Sequence, residues 1–531
     1  MNPNRQARPG AALVLENGRI WTGDGFARSV VIRGNRIASL DEVTPADAEV
    51  IDLRGRLVVP GFVDNHVHFS QGSFQLDQVR LRDAATPEEL VRRIGEYAAR
   101  AGAGRWISGG EWDEQQWSPP LPPARWLIDE VTPRNPVFVT RLDLHLGLAN
   151  SVALRLAGIT RETPAPPGGV IDRDGRGEPT GILRDAAMQR VVALIPPPTA
   201  PERMAALRKG LREAARCGVT SFCDMVISAA GLDDLPAWQS LEQEGELTAR
   251  VWIYLPVELA GQLPRLGNET GLGSSRLRIG GLKGFADGSL GSSTAAFLEP
   301  YLDDPDNAGL LMQPILDGSM ARWIDQADAG EIQLAIHAIG DRANREVLAL
   351  FESRPGHRVR RYRIEHAQHL DPSLIRRLAH GRVIASVQPF HAIDDGRWAE
   401  SKIGKSRAAM AFPFRSLLDQ GVMTTFGSDW PVAPLDPIAG IAAAVTRRTL
   451  DGRNPDGWFP EQRITVAEAL RCYTANSAWS VFAEGEIGTI APGMFADFAV
   501  LSGDLFTLAT AALEDVRVEM TLFDGRVIYE T

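Results

Sequence analysis

A chain of 531 residues exceeds what one ordinary compact core holds, so a large domain with at least one smaller unit is expected. Hydrophobic residues make up 44% and charged residues 23%, close to soluble globular averages, and no stretch approaches the roughly 20 apolar residues of a membrane-spanning helix. A formal net charge of -11 gives no basic footprint for nucleic acid or an anionic membrane, which leaves small-molecule chemistry, with homo-oligomerisation open.

The chain opens MNPNRQARPG and runs into AALVLENGRI, where Glu16, Asn17 and Arg19 cut the apolar stretch short of a secretory core, so a cytoplasmic location is expected. Residues 11 to 60 hold short alternating strands with Gly and Asn turns, and residues 486 to 531 hold more. Both ends, taken as 1–60 with 486–531, are expected to pair into one small composite β-sandwich. Between them, over 61–485, eight β-rich segments recur: 61 to 69, 218 to 225, 250 to 256, 278 to 287, 332 to 338, 362 to 368, 382 to 389 and 422 to 429. Most are separated by helical stretches such as DRANREVLALFES, and eight strand-then-helix units predict an α/β fold, a (β/α)8 TIM barrel. The stretch from about 70 to 205 is too long for a simple connection and carries Trp106, Trp112, Trp117 and Trp126; it reads as an insertion over the barrel mouth. Cys217, Cys223 and Cys472 lack CxxC spacing and read as small buried hydrophobes.

Barrel enzymes carry their chemistry at the C-terminal ends of the strands, and here those ends carry His, Asp and Lys. His66 and His68 stand two apart on the first strand, which turns both imidazoles to one face where they can grip one metal, with Asp64 two residues earlier. His337 and His366 end later strands, and Asp429 follows the last. Histidine and carboxylate without cysteine suit zinc, with manganese, iron or cobalt as substitutes. Lys283 is the least obvious member, because an ammonium with a reference pKa of about 10.4 repels cations. On a buried strand its amine deprotonates more readily and can take up carbon dioxide as a carbamate; pairing with a nearby acid is the alternative.

The segments PGFVDNHVHF, LKGFADGSLGSSTA, IHAIGDRAN, RIEHAQ, SVQPFH, GSDWPV and GTIAPGMFADFAVL occur in this order, and the chain resembles the amidohydrolase superfamily over nearly its whole length, within it the YtcJ-like and N-substituted formamide deformylase branch (amidohydrolase family 3). The resemblance implies that His66, His68 and Asp429 hold one metal ion, that His337 and His366 hold a second, and that carboxylated Lys283 bridges them. It implies hydrolysis of a non-peptide C–N bond in a small amide by metal-bound hydroxide, with Asp429 as the general base. Ester, lactone or carbamate hydrolysis, decarboxylation, and a non-catalytic binding role are the alternatives. His145 resembles a family position near the substrate carbonyl, where an imidazole can stabilise the oxyanion. Trp112 with the adjacent Asp113, Trp117, Gln388, His391 and Trp430 are expected to line the substrate pocket. Asp341 reads either as a ligand-orienting carboxylate or as a helix cap, His369 as a further pocket residue, and Arg141 and Arg184 as possible carboxylate binders.

Overall fold

The computed structural model describes residues 11–531 apart from 113, 115, 116, 118–122, 142–145, 167, 168, 228 and 264–271. Eight strands stand side by side in chain order with every neighbouring pair parallel: β1 (Phe62–Val67), β2 (Val219–Met225), β3 (Arg250–Pro256), β4 (Leu277–Phe285), β5 (Leu334–Ala338), β6 (Arg363–His366), β7 (Ile384–Val387) and β8 (Thr424–Phe426). Each overlaps one of the eight segments expected from sequence. Strands buried on both faces read as near-continuous apolar runs, and β2, β3 and β5 are buried along their whole length. The ring closes between its ends. Val67 bridges to Trp430, the His68 N–H donates to the Trp430 carbonyl at 2.8 Å, and the Asp429 N–H donates to the His66 carbonyl at 2.7 Å. The sheet is therefore a TIM barrel.

The helices after the later strands form for local reasons. Asp341–Glu352 buries Ala343, Val347, Leu348 and Phe351 along one stripe. Pro372–Gly381 starts at Asp371, whose carboxylate accepts the N–H groups of Ser373 and Leu374 while Pro372 occupies the first turn without losing a bond.

The chain ends meet in one sheet. Leu57–Pro60 pairs antiparallel with Phe498–Leu501 inside a six-stranded sheet, and a four-stranded sheet from the N-terminal segment contributes to the same apolar cluster: Leu13, Leu15, Val30 and Ile32 with Val58, Phe498, Val500 and Leu522. Arg250, 1% exposed at the start of β3, ties the barrel to this sheet. Its Nε donates to Asp497 Oδ2 at 3.0 Å, its Nη2 bonds Asp524, and the guanidinium lies 3.6 Å above the Phe495 ring.

Residues 73–206 form a compact unit of their own, apart from the one that runs to Gly72 and resumes at Leu207. A six-stranded sheet, in the order Gly169–Arg173, Pro179–Asp185, Leu146–Ala149, Val137–Arg141, Ile107–Trp112 and Val79–Arg80, packs its apolar residues with Leu90 and Ile94 of the helix Pro87–Ala101.

Breaking a buried ion pair by removing one partner strands the other charge. Arg250→Met leaves Asp497 without its guanidinium and is expected to cost about 3–5 kcal/mol, read as a lower urea midpoint for the barrel transition; an unchanged midpoint would contradict the role given to this cluster.

Candidate metal centre

The strand ends bring the chemistry-bearing side chains together. His66 Nε2 lies 3.4 Å and His68 Nε2 3.2 Å from Asp429 Oδ1. The ring centres of His66 and His366 are 5.0 Å apart, and those of His337 and His366 are 4.4 Å apart. His66, His366 and Asp429 can each turn a ligand atom to within 4.8 Å of the others, a spacing one cation can bridge.

Each of these imidazoles has one nitrogen anchored. His66 Nδ1 meets Glu365 Oε2 at 2.5 Å, His68 Nδ1 the Met225 carbonyl at 2.8 Å, and His366 Nδ1 Gln388 Oε1 at 2.8 Å. An acceptor at Nδ1 fixes the proton there and leaves Nε2 as the free lone pair. His337 is anchored the other way round, its Nε2 meeting the Gly288 carbonyl at 3.0 Å, which leaves Nδ1. That carbonyl is itself held in place, because the buried Asp287 carboxylate accepts the backbone N–H groups of Ala296, Ile339 and Gly340 and joins the loop after β4 to the end of β5.

Two of the candidate ligands sit in unusual backbone. His366 has φ 71, the following Ala367 has φ 43, and Asp429 has φ 60, all in the left-handed region that L side chains avoid. In regular β6 the side chains of Glu365 and His366 would leave by opposite faces. Ending the strand in left-handed backbone lets Glu365 reach His66 while His366 packs against the same ring. Such strain persists where the surroundings over-determine it.

Electrostatics follow burial. Burial pushes the Lys283 amine down to about 8, against the pull of the Glu365 and Asp429 carboxylates, and its Nζ has no hydrogen-bond partner among the described residues. Burial would raise the Asp429 carboxyl, but the His66 and His68 imidazoles overcome it and hold it well below the usual range. Burial, reinforced by His337, holds His366 well below the ordinary imidazole value. Asp64 is pushed up to about 7 by burial; its Oδ1 accepts the Ser428 N–H at 2.9 Å and the His66 N–H at 3.3 Å, stapling β1 to the end of β8.

Other expected residues fall elsewhere. His391 faces the centre, its Nε2 3.8 Å from Asp429 Oδ2 and without a hydrogen-bond partner among the described residues. Gln388 is 1% exposed and anchors His366, so its place is behind that candidate ligand rather than in a pocket wall. Trp430, 7% exposed, packs edge-on to Phe69 and covers Gly72, where a Cβ would meet its ring at 2.4 Å. Trp112 is fully buried in the apolar cluster of the 73–206 unit with its indole N–H on Glu114, and Trp117 shares that cluster; both hold core positions, because rings so enclosed present no face to a ligand. Arg141 pairs with Glu114 and Arg184 with Asp172. Asp341 accepts the Leu298 N–H at 2.9 Å and touches no candidate ligand, and His369 packs edge-on to Phe297. Asp113 and His145 lie outside the described residues. Sequence reasoning passed over Glu365, Arg363 and Asp287, although charged residues inside RIEH, on a strand buried on both faces, were a signal available from the sequence.

The amidohydrolase family pattern matches residues 49–529. Over 514 residues, 93% of this chain and 87% of the relative, the sequence is 38% identical to Protein LONG AFTER FAR-RED 3 of Arabidopsis thaliana. It is 33% identical to the putative amidohydrolase YtcJ of Bacillus subtilis (strain 168), over 91% of each chain, and 29% identical to the N-substituted formamide deformylase of Arthrobacter pascens, over 98% of each. The crystal structure of an uncharacterized metal-dependent hydrolase from Pyrococcus horikoshii OT3 superposes with a TM-score of 0.78 at 28% identity, covering 94% of this chain and 99% of that one.

Two outcomes follow from this geometry. A Cβ at Gly427 would lie 2.5 Å from the His66 backbone nitrogen, whereas one at Gly485 meets nothing within 4 Å. Gly427→Ala is therefore expected to destabilise the protein by about 1–3 kcal/mol and to lower its metal content, with Gly485→Ala as the silent control; equal melting temperatures and metal contents in the two variants would refute the close packing at the seam. The second concerns pH. In the metal-free folded protein Lys283 loses its proton near 8, but in the unfolded chain only near 10.5, so the unfolded state binds more protons between those values and stability rises with pH across that window. Lys283→Met removes this rise, seen by subtracting denaturant-unfolding curves measured from pH 7 to 10.5; parallel curves would refute it.

Proposed function

The chain belongs to the amidohydrolase family, and from that premise we propose that it is a metal-dependent hydrolase cleaving a non-peptide carbon–nitrogen bond in a small amide. One observation carries the reading. His66 Nε2, Lys283 Nζ and Asp429 Oδ1 are buried polar atoms without a hydrogen-bond partner among the described residues, although groups so deeply buried normally find one. Two imidazole nitrogens and a carboxylate oxygen within 4.8 Å of one another have a natural common partner in a divalent cation.

The residues fit zinc or another divalent transition metal: a single ion would draw on His66, His366 and Asp429, and two ions would divide the set, His66, His68 and Asp429 holding one and His337 and His366 the other. When bound, such a cation polarises a carbonyl group and lowers the pKa of water from 15.7 to about 7. Lys283 as an ammonium would oppose it. With its pKa pushed down to about 8, part of the population carries a neutral amine at mildly alkaline pH, and this can add carbon dioxide and release a proton to become an anionic carbamate. Asp429, ionised and close to two imidazoles, takes the proton of the attacking water and returns it to the leaving nitrogen. His391 faces the second oxygen of Asp429 and is placed to touch the substrate on that side.

The full-length similarity to an N-substituted formamide deformylase favours the amide class and makes N-substituted formamides the first compounds to try. Protein stripped with a chelator and reloaded with zinc, manganese or cobalt is to be assayed on formamides, simple amides, aryl esters and lactones. Metal-dependent amide hydrolysis is expected, with Asp429→Asn slower by about 10²–10⁴-fold. Activity that is indifferent to metal and to this substitution refutes the reading; activity confined to esters or lactones keeps the metal centre and corrects the bond.

A further inference from the structure

Beneath the candidate ligands lies a buried charged pair that the chemistry above does not use. Arg363 and Glu365 are both 0% exposed on β6. Arg363 Nε donates to Glu365 Oε1 at 2.7 Å, and the other oxygen of that carboxylate faces His66 Nδ1 at 2.5 Å. The remaining donors of the guanidinium are also occupied. Nη1 reaches Asn65 Oδ1 at 2.7 Å and Tyr254 Oη at 3.0 Å, while Nη2 reaches the Asn65 carbonyl at 2.6 Å and Ser386 Oγ at 3.2 Å. Neither β1 nor β3 neighbours β6, so these bonds cross the barrel interior.

We propose that Arg363 and Glu365 are a positioning pair for His66, holding the imidazole through the Glu365 carboxylate and its backbone through the carbonyl of Asn65. This rests on the metal-centre reading and deepens it. A buried ion pair is rarely retained for stability alone, since apolar residues of similar volume often do as well. What the pair supplies here is asymmetry. The anchors of His68 and His366 are neutral oxygens, the Met225 carbonyl and the Gln388 amide, whereas His66 is anchored by a carboxylate. A carboxylate at Nδ1 makes the imidazole a stronger donor to a cation and fixes its ring plane, and loss of such an outer partner typically lowers metal affinity about 10–100-fold. A lysine at position 363 could not replace the guanidinium, because one ammonium with three donors cannot serve a carboxylate, an amide oxygen, a backbone carbonyl and two hydroxyls together.

The test is Co2+ and Zn2+ titration of metal-free wild type, Glu365→Gln, Glu365→Asp and the double variant Arg363→Met/Glu365→Gln, with circular dichroism confirming the fold. The double variant guards against the single change leaving Arg363 buried and unpaired. For Glu365→Gln and the double variant the expected result is a metal affinity about 10–100-fold below wild type together with a shifted visible Co2+ spectrum, with Glu365→Asp intermediate. A purely structural role would move the melting temperature and leave affinity and spectrum in place. If wild type binds metal and the folded variants match its affinity and spectrum, the pair has no positioning role. If wild type binds no metal, the metal-centre reading fails first and this one falls with it.

Discussion

The hydrogen bond from the Asp429 N–H to the His66 carbonyl, with Gly427 pressed against the His66 backbone, is the contact on which the rest of the site depends. A barrel closes only if its last strand reaches its first, and here the closing residues are themselves the candidate ligands. The Asp64 carboxylate strengthens the join by accepting from both sides of it, Ser428 and His66. The contacts that close the barrel therefore also hold His66 beside Asp429. A substitution that opens the seam also separates His66 from Asp429, and a Cβ at position 427 would press directly on His66, 2.5 Å from its backbone nitrogen and 2.8 Å from its Cβ.

Bringing so many polar groups into a buried space is costly unless each is matched. The protein does this by layers. At the strand ends the four imidazoles each spend one nitrogen on an oxygen fixed in the fold, so that the other is left to the centre. One layer below, Arg363 satisfies Glu365 and several uncharged oxygens at once. At the base of the barrel Arg250 bonds two carboxylates, Asp497 and Asp524, contributed by the C-terminal sheet. Each buried arginine thus joins segments distant in sequence, which a side chain with five donors in a fixed fork can do and a single ammonium cannot.

How much of this could be read from sequence depends on the range of the cause. The barrel strands were legible because apolar runs ending in His, Lys or Asp recur along the chain, and that regularity needs no knowledge of packing. The candidate ligands were legible for the same reason. What sequence could not order was the layer behind them. Gln388 lies one residue past a strand end, which reads equally as pocket or support; only its 2.8 Å bond to His366 decides for support. Trp112 looked like an aromatic pocket wall until the cluster of its own unit enclosed it. Glu365 was hidden by its neighbour, since in RIEH the histidine draws the eye, and a strand alternation carried through to the end would have put one of the two outside the site.

His366 and Asp429 occupy left-handed backbone at φ 71 and 60, where glycine would be free of strain. Glycine there would remove the imidazole and the carboxylate that the strand ends bring together. The fold instead holds the backbone from both sides: Asp429 by its bond to His66, and the segment after His366 by the bond from the His369 N–H to the Ile339 carbonyl at the end of β5. Left-handed backbone without glycine, at the end of a buried strand and next to a histidine or aspartate, marks a place where side-chain function has overruled backbone preference. In this chain both such candidate ligands bring an atom to within 4.8 Å of the other and of His66, and it is their agreement, more than any one residue, that distinguishes a candidate centre from a scatter of polar strand ends.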